Sequence, residues 1–500
     1  MTSQTTQPNI LLIYADQMRY DCMSPSGNPV VKTPHLQRMA DEGMTFDNAF
    51  TSYPLCCPFR ASMMTGKYAQ GHGMTQNHFP LRDDQEFLGE RMKDAGYQTF
   101  YVGKWHLEGG PKPGFVPPDR RFGFDKFVGF NRGHSYLDGI FFRDTDQPYR
   151  CRRYEPDYQT DHLLDFIDAA QNDNPDQPFM GYISFGPPHH PNDMPDHWRK
   201  MHDPADVPLP VGTLSPEEQV RIQTERVETD CAGNEKAALR SRVAYGSKKQ
   251  LEPETEEEQR VFIAEYYAMI SNIDHNVGRI LGHLDKLGLS DNTMVVFFAD
   301  HGDMLGEHGY YCGFKPQGYR AAMQVPLLIR HPKGVKAGQR SDAMIDVGVD
   351  TPVTLLELAG GVPFSKAHGQ SYGKALAGSD TQRDTIYYQT FRMDDGAWGE
   401  FTPVPERGIR TRDWLYVRQP NRRKFLFDQR ADPFELNNLA ASPEHADLMD
   451  AFDAQITAHM QETGDDWDMH ANFPPPDFLT HEAAKHHLET DLLPNAIEVP

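Results

Sequence analysis

Ser52-Tyr-Pro-Leu-Cys56-Cys57-Pro58-Phe59-Arg60-Ala-Ser62-Met-Met-Thr65-Gly66-Lys67 is the stretch on which the rest of this 500-residue chain is read. Pro58 suits the first turn of a helix, where its missing N–H is not needed and its φ is already set. Residues 61–64 continue that helix and Gly66 can end it. Cys56 then stands at a helix N-terminus, where free backbone N–H groups and the helix dipole favour an anion. Arg60, one turn further in, can reach back toward the same place. A lone cysteine is by itself most often a small buried hydrophobe. Here the cysteine comes with an anion site.

Outward from this stretch, short apolar runs end repeatedly in polar, chemically capable residues. Asn9-Ile-Leu-Leu-Ile-Tyr14-Ala15 reads as a buried strand of a parallel sheet and ends in Asp16-Gln17. Residues 97–102 form a strand ending in Gly103-Lys104-Trp105-His106-Leu107. Residues 179–185 form another, which empties into Gly-Pro-Pro188-His189-His190-Pro191, where flanking prolines fix the loop. Residues 291–299 form a fourth, ending in Asp300-His301-Gly302-Asp303. Ligands gather at the carboxyl ends of parallel strands. Asp16 and Asp300, far apart in sequence, share one setting, which is what a metal site on the edge of one sheet looks like. An acid after a strand also serves as a helix cap, and a lysine there as a solvated side chain. Asn77 fits either a site wall or a polar turn.

Between these runs lie helices: a capped one from Thr33-Pro34 to Gly43, others at 88–95 and 161–170, and one at 350–358 with Asp350 as cap and Pro352 in its first turn. The long helix at 262–287 carries Ile263, Tyr266, Ile270, Ile273, Val277, Ile280, Leu281 and Leu284 on one face. Residues 110–139, rich in Gly, Pro, Arg and aromatics, read as an irregular substrate-facing excursion. Strands alternating with helices make this an α/β protein. From about residue 383 the pattern changes to short β-like runs at 385–390, 407–411, 414–418 and 425–428, followed by a helix to about Thr463.

The composition is that of a globular chain, 38% hydrophobic and 24% charged, with a formal net charge of −23. Such a chain repels nucleic acid and anionic membrane surfaces, and neither is expected as a partner. A locally basic site is compatible with that acidic envelope. The apolar run near the N-terminus, Ile10 to Ile13, is far too short for a signal or a membrane span. The six cysteines at 22, 56, 57, 151, 231 and 312 show neither zinc spacing nor a paired framework, which fits a reducing cytoplasm.

The string Cys56-x-Pro58-x-Arg60…Thr65-Gly66 resembles the signature of the sulfatases of the alkaline phosphatase superfamily. The further segments follow in that family's order: Asp16-Gln17, Gly103-Lys104-Trp105-His106, Pro188-His189-x-Pro191, Asp300-His301-Gly302, Lys315, and Asp432-Pro433-x-Glu435-x-Asn437-Asn438-Leu439. The resemblance covers about residues 9–439. It implies a large central, mostly parallel or mixed sheet flanked by helices, with a small C-terminal antiparallel subdomain. Residues 1–382 would form the catalytic domain with an insertion at about 203–258, residues 383–463 the small subdomain, and 464–500 a tail. That tail either packs on a neighbouring subunit of a homo-oligomer or is a loosely held terminus.

The resemblance further implies that Cys56 is converted to formylglycine by a maturation enzyme, and that one oxygen of the hydrated aldehyde attacks sulfur. A covalent sulfo-enzyme forms as the alcohol or phenol is expelled, and the second hydroxyl then loses its proton and expels sulfate as the aldehyde reforms. Asp16, Gln17, Asp300 and His301, with position 56, would hold one divalent metal. Arg60 would steady the modified residue, Lys104 bind sulfate, and His106 contact the diol. His189 and Lys315 would bind sulfate and help protonate the leaving group, with Asn77 beside the substrate. Phe59 stands where many members carry Ser, a mild departure.

Two departures bear on substrate and metal. Typical members carry acid-acid and acid-asparagine pairs where this chain has Asp16-Gln17 and Asp300-His301. An aspartate and oxygen majority favours Ca2+, while the histidine pulls toward Mn2+. The same pairs resemble the related phosphonate monoester and phosphodiester hydrolases. Hydrolysis of a small-molecule sulfate ester, aryl, alkyl or sugar, is therefore the first expectation and phosphonate or phosphodiester hydrolysis the second. A non-enzymatic oxyanion-binding protein with unmodified Cys56 is the third.

Overall fold

A computed structural model describes residues 7–499, apart from 78, 111, 231–253, 316, 380–382, 392–403 and 468–495. Most of the expected tail and the middle of the expected insertion lie outside the described residues. An eight-stranded sheet forms the centre. Its strands are β1 (Asn9–Asp16), β2 (Met44–Phe50), β3 (Gln98–Lys104), β4 (Lys126–Phe130), β7 (Phe179–Pro188), β8 (Thr293–Ala299), β9 (Leu327–Arg330) and β10 (Gln339–Asp346). Their order across the sheet is β10-β2-β9-β8-β1-β7-β3-β4. β9 pairs antiparallel with both neighbours, and every other pairing is parallel. β1, β7 and β8 are buried along their whole length, as their unbroken apolar runs require in a sheet covered on both faces.

Two groups of helices flank this sheet. Glu155–Asp173 and Glu256–Leu287 pack on each other and on β7, and Pro34–Glu42 packs on the latter helix and on β9. Cys56–Thr65, Leu88–Asp94 and Val347–Leu358 form the second group. All eight apolar residues assigned to one face of the long helix are buried. A second sheet, entirely antiparallel, follows in the order β11 (Ile386–Thr390), β12 (Glu406–Arg410), β13 (Trp414–Gln419), β14 (Arg422–Asp428). Helix Ala446–Thr463 covers it through Met449, Phe452, Ile456 and Met460. A small third sheet joins β5 (Gly139–Phe141), β6 (Tyr149–Cys151) and β15 (Ile497–Val499), so residues 497–499 pair with their own chain.

Two local expectations change. Residues 110–139 are not irregular throughout, because β4 runs through them as the sheet's edge strand. Phe127, Val128 and Phe130 are buried there, and Gly129 lies against the Gly103 carbonyl, where a Cβ would stand at 2.2 Å. The helix expected from Asp350 begins three residues earlier, at Val347. Asp350 is not its N-cap. It sits inside the first turn, and its carboxylate reaches back to accept from the Asp346 N–H at 2.9 Å.

Candidate active site

Four adjacent parallel strands, β8, β1, β7 and β3, deliver Asp300, Asp16, His189 and Lys104 to the same edge of the sheet. The sequence folds that way because each apolar run ends where its first polar residue can leave the sheet. Helix Cys56–Thr65 starts opposite this edge. Its last turn closes at Gly66, whose left-handed φ of 67° lets its N–H bond the Ser62 carbonyl at 2.8 Å. At its first turn the Cys57 N–H donates to Asn77 Oδ1 at 2.9 Å, one of the N–H groups that a helix leaves unpaired. Asn77 thus reaches the site as the partner of that helix end.

Cys56 is 1% exposed, and its thiol sits among charged groups. Sγ lies 3.5 Å from Asp16 Oδ1, 3.3 Å from His301 Nε2 and 3.5 Å from Lys315 Nζ. Burial, reinforced by the Asp16 charge, pushes this thiol well above its ordinary pKa despite the two lysines nearby. A thiolate nucleophile is therefore disfavoured here.

Asp16 Oδ2 accepts from Lys104 Nζ at 2.7 Å and from Arg60 Nη2 at 3.1 Å. Burial works to raise Asp16, but the surrounding cations, Lys104 foremost, hold it well below the usual carboxylate range. Arg60 also donates to the Lys104 carbonyl at 2.6 Å and to Ser184 Oγ at 2.8 Å, so it ties the ends of β1, β3 and β7 together. Asp300 accepts from the Gln17 and His301 N–H groups at 2.8 and 2.9 Å and from the Tyr14 hydroxyl at 2.5 Å. Burial, then the Asp16 charge, pushes Asp300 up to about 7.

The hydrogen positions of the imidazoles follow from their partners. His301 Nδ1 lies 2.9 Å from the Gly302 carbonyl, which can only accept, so Nδ1 carries the hydrogen and Nε2 turns its lone pair toward Cys56 and Asp300. Burial holds this ring neutral. His189 Nδ1 lies 2.5 Å from the His190 carbonyl, so His189 Nε2 accepts from Lys315 Nζ at 2.7 Å. Gln17 is oriented in the same way. Its Nε2 donates to Asp303 Oδ2 at 2.7 Å and to the Gly313 carbonyl at 2.9 Å, which leaves Oε1 facing Lys315 Nζ at 3.2 Å. Gln17 and His106 both hold left-handed backbone, at φ 67° and 58°, conformations that non-glycine residues keep only when their surroundings enforce them. His106 is fixed by backbone bonds: its N–H donates to the Asn131 carbonyl and its own carbonyl accepts from Cys57 Sγ at 3.0 Å.

The site can hold a cation. Asp16, Cys56, Asp300 and His301 each offer one donor atom, all within 4.8 Å of one another and all buried. Two neighbouring buried carboxylates, an imidazole lone pair and the nearby Gln17 carbonyl suit a divalent ion, whose charge would offset the repulsion between Asp16 and Asp300.

Asp16, Gln17, Cys56, Arg60, Lys104, His189, Asp300, His301 and Lys315 are brought together here, whereas Asn77 and His106 meet the cluster through Cys57, the one at its N–H and the other at its thiol. Several participants were not singled out. Tyr14 ends the first apolar run, and its hydroxyl carries no pattern that separates it from a core tyrosine. Asp303 had a signal, as the second acid of Asp300-His301-Gly302-Asp303. His134 lies in the excursion read as substrate-facing. Its ring stacks on His189 with centroids 3.9 Å apart.

Comparison with known proteins agrees with this geometry. The sulfatase family model matches residues 8–362, and a model described as N-sulphoglucosamine sulphohydrolase, C-terminal, matches residues 306–462. An ulvan-active sulfatase from Formosa agariphila is 29% identical over 472 residues, covering 93% of this chain and 83% of that one. A solved structure in complex with its substrate, D-glucosamine-2-N,6-O-disulfate, is 26% identical with a TM-score of 0.74, over 92% of this chain and 98% of that one. The phosphonate monoester hydrolase of Agrobacterium radiobacter shares the fold, with a TM-score of 0.73 at 24% identity over 91% of this chain and 96% of that one. With a family model spanning residues 8–362 and the strand-end cluster in place around Cys56, this chain belongs to the sulfatase family.

Proposed function

We propose that this sulfatase hydrolyses sulfate monoesters at a formylglycine made from Cys56, assisted by one divalent metal. The observation that carries the reading is the surroundings of Cys56 Sγ, with Asp16 and His301 on one side and Lys315 on the other, all within 3.5 Å. The hydrated aldehyde would supply an oxygen nucleophile where burial and the Asp16 charge disfavour the thiolate. Because Cys56 is 1% exposed, the maturation enzyme would act on the chain before it folds.

Asp16, Gln17 through Oε1, Asp300 and His301 would hold the metal, which when bound lowers the pKa of a coordinated hydroxyl and polarises a sulfate oxygen. The oxygen majority favours Ca2+, with Mn2+ as the alternative. The chain's own groups do the rest. Lys104 and Lys315 neutralise the sulfate ester, and Lys315 also meets the charge that grows on the leaving oxygen. Lys315 Nζ and His189 Nε2, joined at 2.7 Å, place a proton beside the departing alkoxide, and the His190 carbonyl fixes the His189 tautomer that receives it. Arg60 and Lys104 hold Asp16 ionised, and Asp303 points the Gln17 carbonyl inward. The relatives named for ulvan and for a disulfated glucosamine support a sulfated sugar as substrate. A cytoplasmic, homo-oligomeric enzyme belongs to the same reading.

The Asp16-Gln17 and Asp300-His301 pairs favour a second reading, phosphonate monoester or phosphodiester hydrolysis at the same site, because the central atom is tetrahedral in both substrate classes. Initial rates on an aryl sulfate and an aryl phosphonate monoester, measured on one converted preparation with and without chelator, separate the two. The first reading predicts a higher kcat/KM on the sulfate, lost on chelation and restored by Ca2+. A higher kcat/KM on the phosphonate would transfer the assignment to the second reading, and binding without turnover of either would leave an oxyanion-binding protein.

A further inference from the structure

His134 lies between β4 and β5, outside every segment that carries the family resemblance, yet it adjoins two of the cluster's groups. Its Nε2 is 3.5 Å from Lys104 Nζ, and its Nδ1 is 3.0 Å from the Tyr136 hydroxyl. The Tyr136 hydroxyl is 2.7 Å from the His189 carbonyl, which can only accept. The phenolic hydrogen therefore goes to His189, and the Tyr136 oxygen must accept from His134 Nδ1–H. That fixes the tautomer of His134: Nδ1 carries the hydrogen, and Nε2 presents a lone pair to the Lys104 ammonium.

The ring is also held from the side. His189 is sandwiched between His134, at 3.9 Å and 7°, and His190, at 4.3 Å and 28°. Face-to-face imidazoles so close cannot both be charged, since two imidazolium ions would repel. Burial, followed by the neighbouring histidine and Lys104 charges, keeps His134 well below its ordinary pKa, in agreement.

We infer that His134 is a positioning residue for the sulfate-binding lysine. Asp16 Oδ2 and His134 Nε2 engage two of the three Lys104 donors, and the third is thereby aimed at the bound oxyanion. An ammonium on a flexible stem has no preferred rotation of its own. With Asp16 alone it would lose its aim. A neutral acceptor achieves this without lowering the positive charge that the anion meets, as a second carboxylate would. The inference rests on the sulfatase reading of Lys104.

Two substitutions divide the ring's contributions. His134→Phe keeps an aromatic face for His189 and removes the acceptor. His134→Gln keeps an acceptor at the Lys104 end and removes the face. Inorganic sulfate is titrated calorimetrically into Ca2+-loaded wild type and both variants, with thermal unfolding as the fold control. KM and kcat for 4-nitrophenyl sulfate are measured on converted protein. We expect H134F to bind sulfate roughly tenfold more weakly and to raise KM by about as much with little change in kcat, the mark of a lost uniform-binding contact. H134Q should stay within about threefold of wild type. If H134F does not fold, His134→Leu removes the acceptor equally. H134F equal to wild type, or H134Q as weak as H134F, would overturn the inference alone. Wild type that binds no sulfate would overturn the sulfatase chemistry and this inference with it.

Discussion

Gln17 shows how one residue's orientation can be dictated by a neighbour that never touches the substrate. An amide offers a metal its carbonyl oxygen or, flipped, a useless NH2. Asp303 makes the choice: Oδ1 accepts from the Leu305 and Gly313 N–H groups at 2.8 and 2.9 Å, and Oδ2 takes the Gln17 amide. In Asp303→Asn the retained oxygen would stay with the two backbone donors, and the new NH2 would face the Gln17 NH2 and repel it, leaving only the Gly313 carbonyl to hold the amide in place. Metal affinity should then fall by about 10–100-fold, the usual cost of losing an orienting group behind a ligand. Titration of Ca2+ into wild type and variant reads this directly, and equal affinities would contradict the proposed role. The Asp16-Gln17 pair was legible in the sequence as two oxygen donors at a strand end. Its orientation was not, because that depends on a carboxylate 286 residues away along the chain.

At the scale of elements, helix Pro34–Glu42 was legible from Pro34 and from Gly43 at its stop, but its cap was not. Thr33 makes no capping bond. Its hydroxyl instead accepts from the Ser24 N–H at 2.7 Å. The cap comes from the long helix Glu256–Leu287, where Asp274 accepts from the His35 and Leu36 N–H groups at 2.9 and 2.7 Å. A carboxylate borrowed from another element leaves no local pattern. Asp274→Ala should cost about 1–2 kcal/mol in unfolding measurements, the range for a lost cap. Burial raises Asp274 from 3.8 to about 7 even though the two N–H groups favour its charged form. Its pKa is thus higher folded than unfolded. The stability it contributes is complete below the unfolded value and is lost as pH rises through the folded one. Asp274→Asn keeps an acceptor and removes the titration. The unfolding temperature of wild type relative to this variant should therefore rise as pH falls from about 8 to about 5, and a difference that does not change across that window would contradict the assignment. The four strands that carry the site were legible for the opposite reason: their apolar runs are continuous, and burial on both faces allows nothing else.

At the scale of the molecule, the second sheet is joined to the short helix after the Lys315 loop by buried charge. Arg410 on β12 pairs with Glu435, their side chains 2% and 1% exposed, and the other Glu435 oxygen accepts from the Arg320 N–H at 2.8 Å. Arg320 begins the short helix that follows the Lys315 loop. A β-rich end to the chain and, by resemblance, the Asp432–Leu439 segment were legible in the sequence, but this contact, which joins residues 115 positions apart, was not. Glu435→Gln leaves Arg410 buried with an incomplete partner and should destabilise the protein by about 3–5 kcal/mol. A clear fall in unfolding temperature is expected, and an unchanged transition would show that the pair holds nothing together. No described helix is long and apolar enough to cross a membrane. The net charge of −23 surrounds a buried cluster that carries Lys104, Lys315 and Arg60, so a local excess of cations sits inside the acidic envelope of the whole chain.

The central claim is that position 56 carries an aldehyde, and peptide mass spectrometry across residues 50–67 tests it most directly. The protein would be expressed aerobically with a formylglycine-generating enzyme, and the same preparation assayed for aryl sulfate turnover beside Cys56→Ala. Formylglycine at position 56 predicts a peptide lighter by the change from CH2SH to CHO, with turnover that the alanine variant lacks. An intact cysteine in a preparation that still hydrolyses sulfate esters, or a converted one that hydrolyses none, would contradict it.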